Sequence, residues 1–296
     1  MLLLNDFNRF SVDIDILMNI DMLDKINDSI SNYTDDIFYS IKEDKRKPVE
    51  IVKKHFKLYY KSIYPREDTE DYILLDIVFD EYKYCKLELR AIDSHFVKTT
   101  DPLLMVKIPA IDCMIGDKLT AFAPKTIGIL YKRPNERVKK YTEIIKQLYD
   151  VGKLYDKISD ISVVKETYKN VALIQMKNRC LNITVEDCLM DSILACKLIM
   201  TEGVFGGYSD EYEIIKKGYI GLKNYTLYPF GFEELSTLAA KVYILCIRLL
   251  YDDDFDEEAK PRESFVGRKY KILDQRIGHE LYKSLMQVSF IENKYK

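Results

Sequence analysis

RFSVDIDIL, residues 9–17, alternates between polar and apolar side chains. The alternation predicts a strand over residues 10–17, with Ser11, Asp13 and Asp15 on one face and the apolar residues between them on the other. Two carboxylates two residues apart on a strand lie close enough to share a divalent metal ion, as phosphoryl transfer requires. The same D-x-D pattern is also typical of a solvated strand face.

A second strand with a carboxylate is predicted at YILLDIVF, residues 72–79. Asp76 interrupts this apolar run, and its burial would be costly without a cation or hydrogen bonds. A metal site shared with Asp13 and Asp15 would explain Asp76, whereas the alternative is a strand-edge carboxylate that faces water. Residues 83–92 alternate again, which predicts a strand adjacent to residues 72–79 in one sheet. Another short strand is predicted at residues 103–108.

Two helices are predicted within the first 70 residues, at 21–31 and 47–63. The second would carry a basic stripe with tyrosines nearby. These residues are Lys53, Lys54, Lys57 and Lys61, with Tyr59, Tyr60 and Tyr64. Such a stripe could contact a nucleic-acid backbone and stack on bases, but a solvated helix face is the more common meaning of a charge run.

Helical spacing dominates the chain after residue 109. The predicted helices cover residues 112–123, 136–156, 163–179, 185–201, 209–217, 232–251 and 272–292. Strands precede residue 109 and helices alone follow residue 150, so we predict an α+β protein with two domains, 1–150 and 151–296.

Composition limits the function classes. An apolar fraction of 47% and a charged fraction of 31% are typical of a globular protein rather than a disordered or fibrous one. A net charge of −3 argues against nonspecific coating of nucleic acid. No run approaches the roughly 18 apolar residues of a membrane span and no secretory signal is recognisable, so we expect a cytoplasmic protein with no membrane association. The six cysteines and the three histidines, His55, His95 and His279, show no disulfide or metal-ligand spacing.

Two further segments carry charged residues on predicted helices. In IGDKLTAFAPKTIG, residues 115–128, Lys118 lies near a helix start, where its charge could meet a triphosphate or could simply face solvent. In IKQLYDVGKL, residues 145–154, Asp150 lies on an amphipathic helix and would be unremarkable alone.

Taken together, four blocks resemble the AbiEii/AbiGii toxin family of nucleotidyltransferases. These blocks are RFSVDID (9–15), LDIVF (75–79), GDKLTAFAP (116–124) and KQLYD (146–150), in the family's order. The resemblance covers roughly residues 7–156. It implies a minimal nucleotidyltransferase-like mixed sheet with flanking helices, followed by a helical-bundle domain. It further implies the toxin of a toxin–antitoxin or phage-defence pair, with a cognate antitoxin protein as partner.

The resemblance implies an enzyme that transfers a nucleotide from an NTP to RNA, in some relatives the 3′ end of tRNA, or to another hydroxyl acceptor. By position, Asp13 and Asp15 would hold Mg²⁺ (or Mn²⁺). Asp76 would be the third carboxylate, which either completes the metal site or helps to deprotonate the acceptor hydroxyl. Glu88 is the alternative for that third role.

Among the remaining matched residues, Ser11 and Lys118 would bind the donor nucleotide, and Lys118 and Asp150 would be catalytic. Lys118 would bind the phosphates of the NTP, and Ser11 matches the family's serine beside the carboxylates. Asp150 matches the last acidic residue of the family's R-D-x-x-D motif, in which Lys146 and Gln147 here replace the Arg and Asp.

Other functions stay open at the level of sequence. The family's Gly-Gly-Ser/Thr turn, whose backbone N–H groups would hold the donor phosphates, has no counterpart in residues 1–8. One alternative is therefore a catalytically impaired protein with this fold that binds nucleotide, RNA or a protein partner. A second alternative is a small-molecule nucleotidyltransferase of the antibiotic-modifying kind, which a drug-sized acceptor pocket would favour.

Overall fold

The computed structural model describes residues 9–11, 13–33, 37–45, 52–64, 70–79, 84–94, 98–132, 140–204 and 207–251. The chain forms two compact units. The first unit comprises the described part of residues 10–83, and the second comprises Arg9 and the described residues from Tyr84 onward. Within this described part the chain has a small mixed sheet, a two-stranded sheet and seven α-helices, which agrees with the predicted α+β class.

A four-stranded mixed sheet with one helix forms the first unit. Its elements are β1 (Asp13–Met18), α1 (Leu23–Ser31), β2 (Phe38–Glu43), β3 (Val52–Tyr60) and β4 (Tyr72–Phe79). The strand order is β1-β4-β3-β2, in which β1 runs parallel to β4 and the other neighbours are antiparallel. The strands predicted at 10–17 and 72–79 and the helix predicted at 21–31 are therefore confirmed to within a few residues.

One face of this sheet forms the core of the first unit. The buried side chains are Phe56, Leu58, Ile77 and Phe79, against which Leu23, Ile26 and Ile30 of α1 pack. Because successive side chains of a strand point to opposite faces, the neighbours of these core residues lie on the other face. We call that second surface the polar face.

The helix predicted at residues 47–63 is wrong, because Val52–Tyr60 is the strand β3. The lysines at 53, 54, 57 and 61 imitate the spacing of a helical stripe. The true period is two: Phe56 and Leu58 are buried, and Lys57 between them is only half-buried. Pairing with β2 and β4 outweighs the local pattern.

The prediction that residues 83–92 lie beside residues 72–79 is also wrong. The strand in that segment, β5 (Leu87–Ala91), pairs antiparallel with β6 (Met105–Pro109) in a separate two-stranded sheet. Both sides of β4 are occupied by β1 and β3, so β4 offers no free edge to another strand.

Helices dominate the second unit. They are α2 (Ile111–Ala121), α3 (Tyr141–Leu154), α4 (Ile161–Asn178), α5 (Val185–Met200), α6 (Asp210–Leu222) and α7 (Phe232–Leu250). Each corresponds to a predicted helix, and α5 begins in a capping box formed by Thr184 and Asp187. The helix predicted at 272–292 lies outside the described residues, and the predicted helical-bundle domain stays a prediction.

The compact units do not coincide with the predicted domains 1–150 and 151–296. The second unit already begins at Tyr84. In it α2 packs on α4, and α3 packs on α6 and α7. Helices on both sides of residue 150 therefore share one core.

Candidate functional site

The polar face of the first unit carries the three carboxylates that the sequence singles out. Asp15 and Asp76 are register partners across the parallel strands β1 and β4, and Asp13 lies two residues before Asp15 on the same face. Asp15 is exposed, whereas Asp13 and Asp76 are half-buried. The structure thus brings these three predicted site residues onto one surface.

Ser11 acts on Asp13. Its hydroxyl donates a hydrogen bond of 2.6 Å to Oδ1 of Asp13. A hydroxyl that donates to one carboxylate oxygen fixes the orientation of the carboxylate. In this geometry Ser11 orients the Asp13 carboxylate.

His55 is a site residue that sequence reasoning missed. It is the register partner of Asp76 on β3, and its Nδ1 lies 2.8 Å from Asp76 Oδ1. A carboxylate can only accept hydrogen bonds, so the ring N–H donates and fixes the orientation of Asp76. Finding His55 from the sequence would have required both the strand assignment of residues 52–60 and the register between β3 and β4.

The donor chemistry of the polar face suits a divalent cation. Carboxylate oxygens are the ligands that Mg²⁺ prefers, and Asp13 and Asp15 present two of these groups from one strand. Within the part of the chain that the structure describes, no group of three or more His, Cys, Asp or Glu side chains is arranged to hold a metal ion. Asp13, Asp15 and Asp76 stay the predicted metal ligands, and in Asp76 one carboxylate oxygen, Oδ1, is held by His55.

Lys118 and Asp150 meet in a buried charge cluster of the second unit. Asp150 is fully buried. Its carboxylate accepts hydrogen bonds from Arg9 Nε at 2.6 Å, from Arg9 Nη2 at 2.5 Å and from Lys118 Nζ at 2.9 Å. Burial alone would raise the pKa of Asp150, but the Lys118 ammonium and the Arg9 guanidinium outweigh it and lower that pKa. Two cations thus share one ionised carboxylate.

The packing of α2 on α3 positions this cluster, because Asp150 lies on α3 and Lys118 lies on α2. The prediction that Lys118 lies near a helix start is wrong, since Lys118 is in the last turn of α2. Lys118 keeps 22% of its side chain exposed. It lines a cleft of about 250 Å³ together with Gln147, Gln175 and Arg179 among others. Lys118 can therefore meet a ligand while Asp150 cannot.

Glu88, the alternative third carboxylate, lies elsewhere. It belongs to β5 in the two-stranded sheet of the second unit, and its Oε2 accepts from Arg90 Nη2 at 3.3 Å. Asp76 is therefore the carboxylate that shares a sheet face with Asp13 and Asp15.

Arg9 is a second site residue whose role the sequence did not indicate. Its partner Asp150 is 141 residues away, and its backbone forms an isolated antiparallel bridge with Thr226. No local pattern signals contacts over such separations.

Comparisons with known proteins identify the family. A family model described as the nucleotidyl transferase AbiEii toxin of a type IV toxin–antitoxin system matches residues 1–191. This match covers more than half of the 296 residues and includes all four sequence blocks. No curated protein and no solved structure gives a significant match. Among the described residues no helix is both long enough and apolar enough to cross a bilayer. The resemblance predicted from the sequence is confirmed, and the chain belongs to the AbiEii family of nucleotidyl transferase toxins.

Proposed function

We propose that this protein is a metal-dependent nucleotidyltransferase, the toxin of a toxin–antitoxin or phage-defence pair, that transfers NMP from an NTP to RNA. The observation that carries the proposal is the common face of Asp13, Asp15 and Asp76, set by the register of β1 and β4. The family match supports the reaction class and the presence of a cognate antitoxin partner. The 3′ end of a tRNA is one acceptor that fits this chemistry.

The reaction joins a hydroxyl oxygen of the acceptor to the α-phosphorus of the NTP. The bond from that phosphorus to the oxygen bridging it to the β-phosphorus breaks, and pyrophosphate leaves. The hydroxyl proton passes to the Asp76 carboxylate, which His55 holds in place. Bound at Asp13 and Asp15, Mg²⁺ or Mn²⁺ would supply neutralisation of the charge on the phosphoryl group.

In the second unit, Lys118 is the proposed ligand of the NTP phosphates. Lys118 is the partly exposed member of the cluster and lines the cleft, so its ammonium can contact an anionic ligand there. Since Asp150 is fully buried, its proposed role is to position Lys118 and Arg9, without contact to the substrate.

Removal of metal tests the proposed function. Purified full-length protein with Mg²⁺, labelled NTPs and total RNA should transfer label to RNA. Excess EDTA should reduce the transfer to background, and added Mg²⁺ or Mn²⁺ should restore it. Label transfer that persisted in excess EDTA would contradict the metal dependence.

His55→Leu is expected to lower kcat by about 10- to 100-fold, because it removes the group that orients Asp76. The KM for NTP should change little, because His55 contacts Asp76 and not the donor-binding lysine. His55→Asn keeps an N–H donor close to the position of Nδ1 and should retain most of the activity. Steady-state kinetics of the three proteins would measure this, and equal activity of the Leu and Asn variants would contradict the role of the hydrogen bond.

A further inference from the structure

Three tyrosines form a row across the polar face of the first unit. Tyr39, Tyr59 and Tyr72 come from β2, β3 and β4. The ring centroids of Tyr39 and Tyr59 are 6.3 Å apart, and those of Tyr59 and Tyr72 are 5.6 Å apart. Tyr39 is 50% exposed and Tyr72 is 40% exposed, so the row is accessible to a ligand.

Two lysines lie over these rings. Lys42 Nζ is 4.8 Å from the ring centroid of Tyr59, and Lys57 Nζ is 5.0 Å from that of Tyr72. We call Tyr39, Tyr59, Tyr72, Lys42 and Lys57 the Tyr–Lys patch. Each exposed lysine–ring contact contributes only about 0.5–1 kcal/mol, so a ligand can displace the lysines from the rings.

Carboxylates also border the patch. Lys57 is 3.8 Å from Asp44, and the Tyr39 hydroxyl donates to Glu70 at 3.3 Å. Lys53 also points to this face, two residues from His55. Asp71 also acts electrostatically on Tyr39. Two lysines at the tyrosine row, Lys42 and Lys57, are thus accompanied by three carboxylates, and the contribution of the lysines comes from their position over the rings.

The patch and the carboxylates belong to one continuous surface. Tyr59 pairs with Tyr72 and His55 pairs with Asp76 in the same β3–β4 ladder. Tyr72 precedes Asp76 by four residues on β4, which corresponds to about 13 Å along the strand. An acceptor whose end reaches Asp76 can therefore extend over the tyrosine row.

We propose that the Tyr–Lys patch binds the unpaired 3′ segment of the acceptor RNA, with the terminal hydroxyl at Asp76. The proposal rests on the proposed function. Aromatic rings with lysines between them suit a single strand, because every unpaired base has a face that can stack and every nucleotide has a phosphate that a lysine can neutralise. A duplex buries its base faces and cannot use the rings in this way.

Fluorescence anisotropy of a labelled, unstructured 12-nucleotide RNA with the full-length protein tests this surface without catalysis. Tyr59→Ala and Tyr72→Ala should each raise Kd by roughly 5- to 100-fold, the loss of one stacked base, and Tyr59→Phe should restore binding. Tyr228→Ala, at an exposed tyrosine of the second unit, is the matched control and should bind like the wild type. The same sequence as a duplex should bind more weakly than the single strand.

The salt dependence gives a second measurement that does not depend on the tyrosines. Lys42→Gln should reduce the slope of log Kd against log salt by about 0.7, the value for one lost phosphate contact to a single strand. Lys54→Gln is its control, because Lys54 alternates with His55 and pairs with Glu43 on the opposite face. Equal slopes for the wild type and Lys42→Gln would contradict a phosphate contact there.

A result that contradicts RNA binding at the Tyr–Lys patch can be distinguished from one that contradicts the proposed function. Asp13→Ala/Asp15→Ala should still bind the RNA, with a Kd no higher than that of the wild type because two negative charges beside the RNA end are removed, whether or not the wild type transfers NMP. Folded Tyr59→Ala and Tyr72→Ala variants with wild-type Kd for RNA would overturn the proposal. It would also be overturned if these variants lost a protein partner while their RNA binding stayed unchanged.

Discussion

Replacing Asp150 by alanine is expected to lower the free energy of unfolding by about 3–5 kcal/mol, since removal of one partner of a buried pair leaves uncompensated charge. Arg9 is only 2% exposed and would lose the carboxylate that it contacts through two nitrogens. Urea denaturation of the wild type and the variant measures the difference. Asp156→Ala is the control: Asp156 is 64% exposed in its ion pair with Lys241, so its loss should cost no more than about 1 kcal/mol. A similar small effect for Asp150→Ala would contradict the buried cluster.

The same residue predicts a pH dependence. The pKa of Asp150 is lowered in the folded state, while an unfolded Asp titrates near about 3.9. Its stabilising contribution is thus complete above that value and is lost as the pH falls through the lower folded pKa. The difference in unfolding free energy between the wild type and Asp150→Asn should be constant from about pH 5 to 7 and should shrink below about pH 4. A difference that increased in acid would contradict the ion pairs.

Asp13→Asn is expected to lower kcat for NMP transfer by at least about 10³-fold, because a neutral amide cannot replace a carboxylate that holds the metal. The amide oxygen can still accept from Ser11, so the fold should be retained. Binding of Mn²⁺, followed by electron paramagnetic resonance, should weaken in parallel and gives a readout separate from activity.

Asp24→Asn is the control for this substitution. Asp24 is an exposed carboxylate of α1, the helix that covers the opposite face of the sheet. The Asp24→Asn variant should have the kcat and the Mn²⁺ affinity of the wild type. Asp13→Asn with wild-type Mn²⁺ affinity would show that Asp13 is not a metal ligand.

The parts of the fold that were predicted correctly depend on local periodicity. The alternation at residues 10–17 and the apolar run at 72–79 identify two strands and show which residues share a face. The helices after residue 109 follow from long amphipathic repeats. In β3 the same reasoning failed, since only Phe56 and Leu58 mark the two-residue period and the lysines around them mimic a helix.

Strand pairing and long-range contacts lay beyond the sequence. No local pattern shows that β4 pairs with a strand on each of its two edges. The pairing of β5 with β6 was therefore missed. The contacts of His55 with Asp76 and of Arg9 with Asp150 span 21 and 141 residues. The carboxylates of the candidate site could be named from the sequence, but the groups that orient them become visible only in the folded chain.

The measurement that bears most directly on the function is incubation of the purified protein with magnesium, each labelled NTP in turn and total RNA. A parallel reaction contains the Asp13→Ala/Asp15→Ala variant, with circular dichroism to verify that both proteins are folded. We expect the wild type to transfer label from at least one NTP to RNA and the variant to transfer none. If the folded wild-type protein transfers no label from any NTP, the proposed nucleotidyltransferase activity is contradicted. That result would favour a noncatalytic protein that binds nucleotide, RNA or a protein partner.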